Sequence, residues 1–525
     1  MQQATLARAH RKPAGRHGEL RGLESHGRSD QFEGRFGRMF RTLPAARFDA
    51  EMLHNLAAAM TAEFEATPTP ETEADDEENT GISAGYTYLG QFIDHDITFD
   101  PVSSLQRQDD PDALVDFRTP RFDLDCVYGR GPDDQPYLYR ADGLTMLLGD
   151  PLTGNADDPK ARGVPRNAPD SSEPARALLG DPRNDENVIV SQLQASMLRF
   201  HNRMVVVLGS TDFERIQRQV RWHYQWVVLH DFLPTIIGLD TLRDIFGTAK
   251  DGGVDYTRRP TLKFYKPKKE AFMPVEFSVA AYRFGHSMIR PIYRLNQSID
   301  RLPIFSPTGE SLVGFRKFPT NWAIDWNLFF KSGNPPALGS KRVQPAYKID
   351  TSLVNPLGSL PASVASNPAV LAERNLMRSW RMQLPSGQAV ATAMGFTPIK
   401  DAELKVGKAN EDDSPTNKSI TDVSPNFAGN APLWFYVLAE AQQQFKKNDT
   451  PIRLGPVGGR IVGEVLVGLM LEDSHSYLRQ DPFFSPRKEF LSDAGEFKMA
   501  DLLDRHARCS CQPLVPILFR TTGIC

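Results

Sequence analysis

The sequence predicts a mainly α-helical protein: one large domain with long loops and little β-structure. Three observations point there. Apolar residues recur three and four apart through several stretches, as one face of an α-helix requires. Runs that alternate apolar and polar are few and short. The segments between are rich in Pro, Gly, Asn and Asp, which favour turns. The chain has 525 residues, 40% hydrophobic and 24% charged, an ordinary balance for a globular protein and enough chain for a large core.

The elements follow in order. Residues 1–47 are rich in Arg and His and carry no apolar signal-like run. They read as a basic N-terminal arm without a secretory signal of the usual kind, which points to a cytoplasmic protein or one secreted by a non-classical route. A helix is expected over 48–66. Residues 63–78 hold eight acidic residues among Thr and Pro and read as an exposed loop. A helix bearing His95 comes next, then a polar loop over 100–118 and a long irregular connection over 150–180. Apolar spacing (Val190, Leu193, Met197, Leu198, Met204) predicts a helix over 186–208. Another runs over 212–233, where Pro234 should end it. Further helices are expected over 275–289, 370–383, 431–446 and 456–472, with a charged loop over 400–425. The domain is read as 48–500, followed by a C-terminal extension, 501–525.

Several classes drop out. The net charge of −4 implies no nucleic-acid partner. No apolar run reaches the length of a membrane span; 461–471 is too short, is interrupted by Glu464 and reads as a core helix. The cysteines, Cys126, Cys509, Cys511 and Cys525, are too few and too clustered for a disulfide framework. No His or Cys stands at zinc-finger spacing from Cys509-Ser-Cys511.

The most informative stretch is Gly90-Gln91-Phe-Ile-Asp94-His95-Asp96-Ile-Thr-Phe-Asp100. On a helix Gln91, Asp94 and His95 share a face while Asp96 points elsewhere. Ionisable groups inside an apolar stretch are costly to bury unless they are paired or hold a metal or cofactor. Three more clusters follow: Thr119-Pro-Arg121-Phe-Asp123-Leu-Asp125-Cys-Val-Tyr-Gly129, Gly180-Asp-Pro-Arg183-Asn-Asp-Glu186-Asn187, and Tyr282-Arg283-Phe-Gly285-His286. Read alone, each has a plainer account. A His in an apolar helix is usually a core residue, Glu186 could be an acid of a first helical turn, and Thr119–Asp125 could be a polar turn.

Together, in this order, the four clusters resemble the animal-type haem peroxidases of the peroxidase–cyclooxygenase superfamily, in patches over about residues 80–475. The scarcity of cysteine suggests a bacterial-type or intracellular member. The resemblance implies haem b with His286 as axial ligand to iron. Arg283 would meet a propionate, Gly285 would permit close approach, and Asn375 would accept from the ligand's other ring nitrogen. It implies His95 as the distal base, Arg183 as the group that stabilises charge on the leaving oxygen, and Gln91 as the side chain that orders water or halide. Asp94 and Glu186 stand where the family forms ester links to haem. Asp96, Thr119, Arg121 (through its carbonyl), Asp123 and Asp125 would hold Ca2+.

The implied activity is reduction of hydrogen peroxide and oxidation of halides, thiocyanate or phenolic and other small aromatic donors through an oxo-ferryl intermediate, in the setting of oxidative stress. Asn187 replaces the methionine of the chloride-oxidising member, which argues against chloride. Two alternatives share the fold: a fatty-acid dioxygenase and a non-enzymatic adhesion or matrix protein. Cyclooxygenases keep a Tyr three residues before the proximal His; here that position is Arg283.

Overall fold

The structure, a computed structural model, describes residues 34–65, 67–99, 115–116, 118–168, 175–268, 270–306, 309–365, 367–445 and 450–505. It is mainly helical with little strand. Among the described residues the helices of ten residues or more are α1 (Ala50–Ala59), α2 (Gly85–Ile97), α3 (Val188–Leu208), α4 (Phe213–Val227), α5 (Leu233–Phe246), α6 (Leu371–Arg381), α7 (Leu433–Gln442) and α8 (Pro456–Glu472). None is long and apolar enough to cross a membrane.

The core forms where helices are apolar all round. Almost every side chain of α7 and α8 is buried. Helix α8 lies against α5, closely enough that a Cβ on Gly463 would sit 2.8 Å from Ile237 Cδ1; glycine there lets the two backbones approach. Helix α2 packs on α3, and α1 on α6. The strands are short. Gly34–Gly37 pairs with Val115–Asp116 and Met273–Pro274, and Glu78–Ser83 pairs with Pro345–Tyr347. Phe36 and Phe40 are buried in the main core, so the chain is anchored from Gly34 onward. Residues 1–33, residues 100–114 of the stretch expected as a polar loop, and Cys509, Cys511 and Cys525 lie outside the described residues.

Four expectations are corrected. Helix α1 stops well short of residue 66: its apolar face is complete by Met60, and Thr61 bridges to Leu353. The acidic segment is not wholly exposed. Glu71 accepts from Arg290 Nε at 2.8 Å, and Glu78 pairs with Arg290 at 3.1 Å and with Arg342. All four side chains are buried, and the paired cations that make this tolerable come from far along the chain. Pro234 does not end the helical run. A π-helical turn over Val228–Phe232 intervenes, and α5 continues the run with Pro234 as its second residue. The stretch predicted as a helix over 275–289 is instead a π-turn, Glu276–Ala280, followed by a 3-10 turn, Ala281–His286. At 3.0 residues per turn, i and i+3 eclipse, so Arg283 and His286 still share a side.

Candidate active site

Helix α2 presents Gln91, Asp94 and His95 on one face, as its period requires. His95 is almost fully buried. Its Nδ1 lies 2.7 Å from Asn184 Oδ1, and its Nε2 lies 3.5 Å from Glu186 Oε1. Burial first, then the Arg183 charge, drop its pKa to about 3; the ring is neutral at ordinary pH. The Gln91 amide donates to Glu186 and accepts from Asn187 Nδ2 at 3.0 Å. Asn187 also caps α3, its Oδ1 accepting from the N–H groups of Ile189 and Val190, which is a local reason for Asn at that position. Burial pushes the Glu186 carboxyl up to about 7.

Arg183 comes from the 3-10 turn Pro182–Asp185. Its guanidinium donates to Asp181 at 2.7 Å and to the carbonyls of His95 and Thr98 at 3.0 and 2.6 Å. It thus clasps the C-terminal end of α2, and it also lies over the Phe99 ring. Burial alone would raise Asp181, but the bond from Arg183 and the charges of Arg183 and Arg118 outweigh it and hold the carboxyl below the usual range.

On the other side, Asn375 from α6 lies 2.8 Å from His286 Nδ1 and accepts from Arg283 Nη1 at 2.9 Å. Burial, reinforced by Arg283, lowers the His286 pKa to about 3, so this ring is also neutral. Asp94 ties the two sides together. Burial raises its pKa, and both Arg183 and Arg283 are near enough to oppose that rise.

The residues present fit a flat, anionic group: His95 and His286 are neutral imidazoles, the cationic Arg283 stands beside His286, and Asp94, Arg283 and His286 are each only partly covered. A Cβ on Gly285 would meet nothing within 4 Å, so there is open space beside His286.

Back to back with this face, Asp96 turns the other way. Asp96, Asp123 and Asp125 each place an oxygen within 4.8 Å of the others. Burial, then the charges of Asp123 and Asp125, push the Asp96 carboxyl far up. Its Oδ2 is buried without a hydrogen-bond partner, although such atoms normally have one. The Thr119 hydroxyl donates to Asp123 Oδ2 at 2.6 Å, and the Arg121 N–H donates to the Thr119 carbonyl at 2.7 Å. Arg118 lies 3.4 Å from Asp125 but is held by Asp181 at 2.6 Å. A hard cation fits this set of oxygens.

Sequence reasoning did not single out Asn184, Gln194, Asp181 or Arg118. Asp181 and Asn184 stand inside the Gly180–Asn187 motif, and their position there was the available signal. Gln194 and Arg118 carry no local signal.

The animal haem peroxidase family profile matches residues 106–354. Rat thyroid peroxidase is 26% identical over 314 residues, 58% of this chain and 31% of its own length. Fruit-fly (Drosophila melanogaster) peroxidasin is 25% identical over 246 residues, 44% of this chain and 14% of its own. The chain thus spans less than a third of these curated relatives. Among solved structures, peroxidase A from Dictyostelium discoideum superposes with a TM-score of 0.58 at 16% identity, covering 95% of this chain and 96% of that one. A fatty acid alpha-dioxygenase from Arabidopsis thaliana gives 0.51 at 13% identity, covering 88% and 76%. The family profile, the distant relatives and the shared fold agree in likening the chain to the peroxidase–cyclooxygenase superfamily.

Proposed function

We propose that this protein is a haem peroxidase that reduces hydrogen peroxide and oxidises small donors. The observation that carries the reading is the contact between the two histidine-bearing elements: the Tyr282 hydroxyl, in the turn that ends at His286, donates to the Gly90 carbonyl of α2 at 3.2 Å. His286 would hold haem iron through Nε2, with Asn375 behind it, and Arg283 would meet a propionate. Asp94 and Glu186 are the carboxyls at hand for ester links. Haem, when bound, supplies the redox iron at which the oxygen–oxygen bond is cleaved.

The rest falls to the chain's own side chains. His95 donates through Nδ1 to Asn184, which leaves the lone pair on Nε2. Nε2 takes a proton from one oxygen of peroxide and returns it to the other, which leaves as water. The fixed positive charge of Arg183 keeps His95 from holding that proton too tightly. It also stabilises negative charge on the departing oxygen. Gln91, bridging Glu186 and Asn187, orders water or a halide beside Nε2. Asp96, Thr119, the Arg121 carbonyl, Asp123 and Asp125 bind calcium and brace α2 from behind.

For the oxidised donor we favour iodide, bromide, thiocyanate or phenols over chloride. Asn187 is occupied by Gln91 and by its helix cap, and offers no thioether to link to haem. Rapid-mixing spectra with peroxide test the reading. Wild type should change spectrum quickly, and His95→Ala should do so slower by roughly 10²–10⁴-fold with haem content kept. Equal rates would remove His95 from the mechanism.

A further inference from the structure

Two fully buried amides run from the distal histidine to the acidic loop. His95 Nδ1 lies 2.7 Å from Asn184 Oδ1. Asn184 Nδ2 donates to Gln194 Oε1 at 2.9 Å, and Gln194 Nε2 donates to the backbone carbonyl of Cys126 at 3.3 Å. Both amide side chains have no exposure, so water cannot substitute for either partner.

The far end of this chain fixes its direction. A backbone carbonyl can only accept. Gln194 must therefore turn its NH2 to Cys126 and its oxygen to Asn184. Asn184 must in turn offer its NH2 to Gln194 and its oxygen to His95. An oxygen facing Nδ1 requires a proton on Nδ1, and in a neutral imidazole that leaves the lone pair on Nε2. Turning either amide over would set oxygen against oxygen at a buried contact, Asn184 against Gln194 Oε1 or Gln194 against the Cys126 carbonyl, which is costly. Bonds aligned head to tail also polarise and strengthen one another.

The terminal carbonyl belongs to a particular place. Cys126 follows Asp125, and its thiol donates to Asp96 Oδ1 at 3.4 Å. Its two polar groups thus touch the acidic cluster on one side and Gln194 on the other. Movement of this turn, Asp125–Tyr128, displaces the carbonyl on which the relay ends.

We infer that Asn184 and Gln194 are positioning residues that carry the orientation of the Cys126 carbonyl to His95, so that the cation loop sets which ring nitrogen of the distal base holds the proton. This rests on the reading of His95 as the base and of the loop as a calcium site. It adds a route distinct from the chain link between His95 and Asp96.

The test reads the tautomer directly. The full-length haem- and calcium-loaded protein is labelled with [15N]histidine and studied in its diamagnetic ferrous carbonyl form. His95 is assigned by difference from His95→Gln, and its ring shifts report the Nδ1–H fraction. Wild type should be almost wholly Nδ1–H. Gln194→Met, which keeps the volume and removes the relay, should give mixed tautomers with haem and calcium content unchanged. Its rate constant with peroxide should fall by the same factor as the Nδ1–H fraction. Adding Asn184→Asp to that variant should restore Nδ1–H, because a carboxylate can only accept.

An unchanged tautomer in Gln194→Met overturns the relay. If that variant fails to fold, wild type stripped of calcium by chelator serves instead: mixed tautomers support the proposal and an unchanged one overturns it. A shifted tautomer with an unchanged peroxide rate leaves the relay standing and rejects His95 as the base, so the two readings fail separately.

Discussion

The Nδ1 of His286 lies 2.8 Å from the side-chain amide of Asn375. The other amide atom accepts from Arg283, which can only donate, so the NH2 of Asn375 faces His286 and the ring proton falls on Nε2. Iron ligation through Nε2 would put the ring proton on Nδ1, and the Asn375 oxygen has two lone pairs with which to accept from it and from Arg283. Asn375→Asp, whose two oxygens can accept from both neighbours, should bind haem at least as tightly and lower the ferric/ferrous potential. Asn375→Leu should weaken haem binding by roughly 10–100-fold. Haem titration and potentiometry check both; unchanged affinity and potential in the Leu variant would remove Asn375 from the site.

Replacing His286 itself with Ala should abolish stable haem binding or change the axial ligand, seen as a shifted absorption spectrum. The same spectrum and activity as wild type would sink the assignment.

Asp94 and Glu186 come from different elements, α2 and the end of the 3-10 turn before α3. Link formation is expected to be oxidative, so it should build up with peroxide turnover. Acidic solvent should then extract little haem from turned-over wild type, more from Asp94→Val or Glu186→Val, and nearly all from the double variant. Free extraction from wild type after many turnovers would count against both residues.

Much of this arrangement was legible because it is local. The period of a helix alone puts Gln91, Asp94 and His95 on one face and Asp96 on the other. The 3-10 turn over Ala281–His286 was missed, yet Arg283 and His286 keep one side in either helix type, so the error was harmless. What stayed hidden was pairing between distant residues. Glu71 and Glu78 look like parts of a solvated acidic run, and only the fold brings Arg290 and Arg342 to them. Gln194 looks like any polar residue of α3 until Asn184 and the Cys126 carbonyl close on it. Pro234 misled because a π-turn can restart a helix, and nothing in the local pattern announces one.

Calcium should matter to the distal pocket before it matters to the fold as a whole. The carboxylates of Asp96, Asp123 and Asp125 repel one another when no cation is present, and Asp96 adjoins His95. Removal of the ion by a strong chelator should therefore lower peroxide reactivity and the melting temperature together, and added calcium should restore both. Metal analysis should find calcium in wild type and much less in Asp123→Ala. A wild type free of calcium, stable and active in chelator, would mean that the loop is only a polar turn.

A last prediction concerns pH and the buried N-terminus of α8. The Glu440 carboxyl accepts from Val457 N–H at 3.0 Å and from Gly458 N–H at 3.1 Å. Burial nevertheless dominates and pushes it from an ordinary 4.5 up to about 7. The folded pKa is thus above the unfolded one. The associated stability is fully present below about pH 4.5 and is lost as pH rises through about 7. The gap corresponds to on the order of 3 kcal/mol. Glu440→Gln is neutral at every pH and escapes this loss, so its stability relative to wild type should improve by a sizeable part of that figure between about pH 4 and pH 8. Denaturant unfolding of both proteins across this range is the measurement. Parallel curves would mean that the helix N-terminus, whose partial positive charge favours a carboxylate, compensates the cost of burial.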